Sequence, residues 1–165
     1  MINFVGAGPG AVDLITVRGK ALLEEADLII YAGSLVNPGL LDYAKADCRI
    51  MDSASMTLEE VLAAMKDAEE RGEMTVRLHT GDPCLYGAIR EQMDILDKWG
   101  IAYEYTPGVS SFSAAAAALK AEYTLPGVSQ SVIITRTEGR TPVPERQTII
   151  DYAAHGATMV MFLST

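Results

Sequence analysis

MTVRLHTGDPCLYGA, residues Met74–Ala88, is the stretch from which the fold of this chain can be read. Met74–His79 is an apolar run of strand character; Tyr86 opens a segment of helical composition, and Gly81-Asp82-Pro83 stands between them. A strand that passes through a glycine, a single carboxylate and a rigid ring into a helix has the form of a βα turn. In sheets built from such units, ligands sit outside the carboxyl ends of the strands. Bare backbone at Gly81 would let the chain approach a ligand without a Cβ in the way, and Pro83 would fix the turn.

The alternation recurs outward from this stretch. Towards the N-terminus, strands are expected at Ile2–Val5, Leu28–Tyr31 and Arg49–Met51. Thr16 can cap a helix running to about Ala26, with Val17, Ala21, Leu22 and Leu23 on its buried side, and Asn37-Pro38 reads as an N-cap with proline at the first helical position. Thr57-Leu58-Glu59-Glu60 is a capping box, and Gly72 ends the helix that follows. Towards the C-terminus come a helix over Tyr86–Lys98, a strand over Ile101–Tyr105 and an alanine-rich helix over Ser110–Lys120. The fold class is α/β, with a mainly parallel sheet in an N-terminal domain, residues 1–122. Past Leu125-Pro126-Gly127 the composition shifts, with strands expected at Ser129–Thr135 and Thr158–Leu163 and a helix over Glu145–Ala154. Residues 128–165 are too few for a complete α/β domain, so they are expected to form the start of a second α/β domain that is truncated.

Composition narrows the function. With 49% apolar and 21% charged residues the chain is globular, and a net charge of −9 argues against nucleic acid as a partner. No apolar run has membrane length. The two cysteines, Cys48 and Cys84, have no metal-binding spacing. A cytoplasmic, reduced setting with no bound metal is the resulting expectation.

Gly6-Ala7-Gly8-Pro9-Gly10-Ala11 almost fits the dinucleotide fingerprint G-x-G-x-x-G/A. In that fold the helix starts within the glycines and presents its N-terminus to the pyrophosphate. Here the next capping signal is Thr16, and Pro9 interrupts the turn. The second strand ends in Tyr31-Ala32-Gly33 rather than the acid that would hold a ribose. An NAD-dependent oxidoreductase is therefore disfavoured. Three glycine loops fall at strand ends, GAGPG, TGDPCLYG and TPGVSS. One of them alone would be an ordinary tight turn.

Val5–Tyr31 (VGAGPGAVDLITVRGKALLEEADLIIY), Gly81–Gly87 (GDPCLYG) and Pro107–Leu119 (PGVSSFSAAAAAL), in that order and spacing, resemble the tetrapyrrole methylases, which move a methyl group from S-adenosylmethionine to porphyrin-like precursors. YAGSLVNP (Tyr31–Pro38) and TRTEGRTPVPE (Thr135–Glu145) are similar to the branch acting on the corrin ring of cobalamin. Many relatives have an acid directly after the tyrosine of the second strand. Ala32 stands there instead, which counts against the sirohaem-type branch and removes a carboxylate that could have acted as a base.

The resemblance implies a donor pocket of Pro9, Thr80, Gly81, Asp82, Leu85, Ser110, Ser111 and Leu163, lying between two domains and holding S-adenosyl-L-methionine in compact form. Asp82 would accept hydrogen bonds from the donor's hydroxyls or amino group. The resemblance also implies a polycarboxylate tetrapyrrole substrate and a homodimer. Arg136 and Arg140 are candidate partners for substrate carboxylates. Tyr31 is open between core filler and cleft wall. Cys84 reads as a small filler, His79 as packed or solvated, and Ala114–Ala118 as a close-packing helix face. No residue stands out as a catalytic base. Two classes of function remain open, a methyltransferase and a truncated, non-catalytic module that binds donor or tetrapyrrole without turnover.

Overall fold

Five parallel strands, each followed by a helix or helical turn, form one sheet in the computed structural model, which describes residues 1–139 and 141–163. The strands are β1 (Ile2–Gly6), β2 (Leu28–Tyr31), β3 (Arg49–Asp52), β4 (Thr75–His79) and β5 (Tyr103–Thr106), in the order β3-β2-β4-β1-β5. The chain first builds outward through β2 and β3. It then returns to insert β4 against β1, and crosses to the far side for β5. The carboxyl ends of β4, β1 and β5, which carry the three glycine loops, are thereby neighbours.

Both faces of the sheet are covered, so the central strands β1 and β4 are buried along their whole length. Their period-2 alternation divides the core. Ile2, Phe4, Leu28 and Ile30 pack against Val61, Leu62 and Met65 of α2 (Leu58–Glu70) and Leu96 of α3 (Arg90–Trp99). Val5, Ile29, Val76 and Leu78 meet Leu23 of α1 (Val17–Glu25) together with Val36 and Leu40. Helix α2 begins where its capping box predicts: Thr57 Oγ1 accepts from Glu60 N–H at 3.2 Å, and Glu60 Oε2 accepts from Thr57 N–H at 2.8 Å.

Three local expectations are corrected. Thr16 caps α1, but Val17 is 89% exposed and Ala21 is also exposed; Gly19 and Leu23 are the buried pair. A Cβ on Gly19 would lie 3.2 Å from Val5, so the helix rolls its smallest residue onto the sheet. That turns residues two positions away to the opposite face. Asn37 caps a 3₁₀ turn, Pro38–Tyr43, rather than an α-helix. Helix α3 starts at Arg90 instead of Tyr86, because Tyr86 and Ala88 have left-handed φ of 58° and 50°, which no right-handed helix accommodates.

The described residues group into two compact units that divide between Ser111 and Phe112. The alanine-rich helix α4 (Ser111–Leu119) thus goes largely with the second unit, ahead of the 121–128 turn at which composition shifts. The grouping follows from Phe112, which packs on Tyr123 and Phe162 at ring distances of 6.1 and 6.4 Å, while the Tyr123 hydroxyl donates to Phe112 O at 2.7 Å. This unit also contains β6 (Val132–Arg136), α5 (Ile149–Ala153) and β7 (Thr158–Phe162), with β6 and β7 parallel.

Removing the α2 cap by Thr57→Ala should cost about 0.5–2 kcal/mol. Denaturant unfolding of the variant beside the parent checks it, the midpoint falling and the slope staying constant.

Candidate functional site

Three loops meet at the carboxyl edge of the first unit. Gly8 and Gly81 exchange backbone hydrogen bonds, Gly8 N–H to Gly81 O at 3.2 Å and Gly81 N–H to Gly8 O at 2.8 Å. Ala7 N–H donates to His79 O at 2.7 Å, so the β1 loop and the Gly-Asp-Pro loop form one ribbon. The β5 loop closes on it from the other side. A Cβ on Gly6 would stand 2.5 Å from Gly108 Cα and 2.7 Å from Gly81 O, and one on Gly108 would stand 2.8 Å from Gly6 Cα. These distances admit only glycine at Gly6 and Gly108. Gly81 itself takes a left-handed φ of 58°.

Asp82 ties the ribbon to β5. Its carboxylate accepts from the Tyr105 hydroxyl, from Cys84 N–H at 2.9 Å and from Gly108 N–H at 3.3 Å. Partial burial opposes the charged form, but the Tyr105 hydroxyl and the backbone donors of Cys84 and Gly108 outweigh it, and the Asp82 pKa lies below the usual value. Burial, followed by the Asp82 carboxylate, pushes the Tyr105 hydroxyl upward, so it stays a donor. The Cys84 thiol, a weak donor, joins these three in engaging the carboxylate while it holds the loops, so a ligand donor at Asp82 competes first with the thiol. Asn37 secures the remaining loop, accepting from Gly39 N–H at 2.9 Å and donating to Gly10 O at 2.7 Å.

Seven of the eight donor-pocket candidates lie in the first unit and close to this edge. Pro9 follows the Gly8 bridge, Thr80 is exposed at the end of β4, and Leu85 N–H donates to Asp82 O at 3.1 Å. Ser110 is buried and Ser111 exposed; a Cβ on Gly81 would lie 3.7 Å from each of their backbones. Leu163 belongs to the second unit, where it follows β7, is 68% exposed and has a left-handed φ of 52°. Tyr31 ends β2 half-buried, its carbonyl accepting from the Ser53 hydroxyl at 3.0 Å. Arg136, also in the second unit, donates to the carbonyls of Thr137, Thr141 and Pro142 at 3.0–3.1 Å and so braces its own loop. Arg140 lies outside the described residues. Among the described residues no cluster of three or more His, Cys, Asp or Glu could hold a metal ion, and no helix is long and apolar enough to cross a membrane.

Sequence reasoning missed Tyr105, whose partner lies 23 positions away, and it missed the polar stripe on β4. Thr75, Arg77 and His79 share one face of the most central buried strand, where the neighbouring strands present Phe4 and Ile30. The alternation T-V-R-L-H carries that signal. His79 is 6% exposed, stacks beside Phe4 at 6.3 Å, and its Nε2 has no hydrogen-bond partner. Burial, and secondarily the Arg77 charge, lower its pKa to about 3. It is a neutral imidazole at pH 7.

A family model described as Tetrapyrrole (Corrin/Porphyrin) Methylases matches residues 1–165. The chain is 59% identical to a cobalt-precorrin-4 C(11)-methyltransferase of Methanocaldococcus jannaschii, over 98% of this chain and 62% of the relative. A protein of the same name from Priestia megaterium is 51% identical over 99% of this chain and 63% of its own length. The chain therefore spans less than two thirds of these relatives. The crystal structure of a cobalt precorrin-4 methyltransferase superposes with a TM-score of 0.95 at 49% identity, covering 98% of this chain and 68% of that one. A uroporphyrin-III C-methyltransferase of Thermus thermophilus complexed with S-adenosylhomocysteine gives 0.72 at 25% identity, covering 88% and 59%.

Gly108→Ala should destabilise the protein by about 1–3 kcal/mol through overpacking, read as a lowered melting temperature. A second outcome concerns His79. Its folded pKa is depressed, so its contribution is complete above the unfolded value of about 6.5 and is lost as pH falls from there towards 3. Unfolding free energies should fall with a slope of up to about 1.4 kcal/mol per pH unit in that window. In His79→Gln the slope should be shallower, as urea titrations at pH 7 and pH 5 would show.

Proposed function

This chain belongs to the tetrapyrrole (corrin/porphyrin) methylases, and on that premise we propose that it serves S-adenosylmethionine-dependent methyl transfer to carbon 11 of precorrin-4 or its cobalt form. The observation that carries the reading is identity of 59% and 51%, over nearly the whole chain, to proteins named for that reaction. The donor loops lie within the matched span. A cytoplasmic homodimer forms part of the same reading and rests on family likeness alone.

The glycine edge suits a donor site chemically. It offers backbone at close range, a carboxylate at Asp82 oriented by protein donors and exposed hydroxyl residues at Thr80 and Ser111. The sulfonium donor supplies an already activated methyl group when bound. The protein's share of the chemistry is then positioning and water exclusion, which can supply roughly 7–11 kcal/mol. An electron-rich, enamine-like ring carbon needs no nucleophilic side chain. Asp82 would orient the donor's hydroxyl or amino groups, with Tyr105 and Gly108 fixing the carboxylate's direction. Arg136 keeps two of its five N–H donors beyond those bracing its loop. We assign these, with Arg140, to acidic arms of the substrate, and Tyr31 to the substrate side of the sheet edge.

Calorimetry should detect S-adenosylhomocysteine binding and none of NAD; the converse would restore the oxidoreductase reading. Asp82→Ala should weaken S-adenosylhomocysteine by roughly ten- to a hundredfold, corresponding to about 1.5–3 kcal/mol for a bond to a charged group. Tyr105→Phe, which removes one brace and keeps the acceptor, should weaken it less. Unchanged affinity in a folded Asp82→Ala protein would make this loop purely structural.

A further inference from the structure

Arg77 lies in the middle of β4, opposite Phe4 and Ile30 in the register, and is 7% exposed. Its hydrogen-bond partners here are both neutral: Nε donates to Gln92 Oε1 at 3.3 Å and Nη1 to Ile30 O at 3.2 Å. Among the described residues, no carboxylate lies within ion-pairing distance of it. Burial pulls its pKa down to about 10, which leaves the guanidinium charged at pH 7. A buried cation without a counter-charge is destabilising, and well-packed apolar replacements of buried charged groups are often neutral or stabilising. The fold does not explain it.

Arg77 also helps line a cleft of about 220 Å³, together with Ser53, Thr57, Leu58, Glu91 and Gln92. The cleft opens where the N-termini of α2 and α3 converge, and both dipoles favour an anion there. The residue preceding α3, Ile89, supplies no side-chain cap for its first turn. Glu91 lines the cleft and is exposed, so its charge is screened by solvent while the Arg77 charge is buried. Gln92 is oriented in turn: its Nε2 donates to Ala88 O at 3.2 Å, and Ala88 is held at a left-handed φ of 50°. A strained backbone residue thus stands in the loop just before α3, where its carbonyl holds the guanidinium's partner. The volume is below that of a whole drug-sized ligand site, so it suits a carboxylate on a short alkyl arm rather than a ring system.

We propose that the Arg77 cleft is a carboxylate subsite that receives one acidic side arm of the macrocyclic substrate. This rests on the reading of the substrate as a polycarboxylate tetrapyrrole. A strongly acidic protein repels such a molecule at long range. The Debye length is about 8 Å at physiological salt, so a desolvated cation at contact dominates. The same chemistry could be offered by the amino-acid carboxylate of the methyl donor, and the experiment separates the two.

The probes are uroporphyrin III, a stable octacarboxylate, and S-adenosylhomocysteine, titrated into the parent and Arg77→Met at matched ionic strength. Arg77→Met should melt at or above the parent temperature and bind S-adenosylhomocysteine within about twofold of it. It should lose uroporphyrin affinity by about tenfold or more, and Arg77→Lys should recover part of that loss. Unchanged uroporphyrin affinity in Arg77→Met overturns the subsite. Loss of S-adenosylhomocysteine alone overturns the macrocycle as its occupant. On the unsubstituted protein, propionate should raise the melting temperature and the neutral isostere propionamide should not; equal shifts overturn the subsite even if Arg77→Met does not fold. If the parent binds no uroporphyrin yet still distinguishes propionate from propionamide, the carboxylate subsite stands and the tetrapyrrole reading fails.

Discussion

The contact on which the site depends is steric: backbone against backbone at Gly6, Gly81 and Gly108. Three crossover connections from adjacent strands must end in the same small volume, and a single Cβ at Gly6 or Gly108 would push them apart. Once they meet, the Gly8–Gly81 bridge and the Asp82 carboxylate convert proximity into a fixed edge. The strand order makes this possible, because inserting β4 next to β1 brings loops separated by about seventy residues to neighbouring positions. Thus the order of strands, more than any one motif, creates the surface at which a ligand can be held.

Asp82 has two duties that pull in one direction. Accepting from Tyr105 and the backbone lowers its pKa, so it is ionised wherever the loops are closed. A carboxylate held by protein donors keeps its orientation before any ligand arrives, and little ordering entropy remains to be lost on binding. A floppy acid at the same position could make the same ligand bonds, but would lose side-chain freedom each time. The structural and binding roles of this residue are therefore coupled.

Much of this was legible in the chain itself. Alternation, caps and glycine positions located the five strands, the Thr57 cap and the three loops within a few residues, because those signals are local. What escaped was set at a distance. Gly19 faces the sheet because Val5 is there to receive it, and no amphipathic pattern within α1 says so. The late start of α3 reflects left-handed residues at Tyr86 and Ala88, types that do not advertise that conformation. The Asp82–Tyr105 bond spans two strands whose adjacency follows only from topology. Among the candidate site residues, those in the first unit come together through local motifs. Leu163 and Arg136 were read from family likeness, and in the second unit Arg136 is engaged by the carbonyls of its own loop.

The stripe of Thr75, Arg77 and His79 shows how a local conflict can be informative. An all-parallel sheet covered on both faces favours continuous apolar strands, and β4 is the central member of this one. Yet it buries two polar atoms without partners, Thr75 Oγ1 and His79 Nε2, and a cation without a counter-ion. The neighbouring strands do not share the pattern: β1 and β2 present Ile2, Phe4, Leu28 and Ile30 on the same face. The adjacent loop passes through a left-handed residue, Ala88, whose carbonyl accepts from Gln92, and Gln92 in turn accepts from the guanidinium. Local rules broken together on one buried strand, at a residue that lines a cleft two positions from the strand's carboxyl end, are the cost that the proposed carboxylate subsite accounts for.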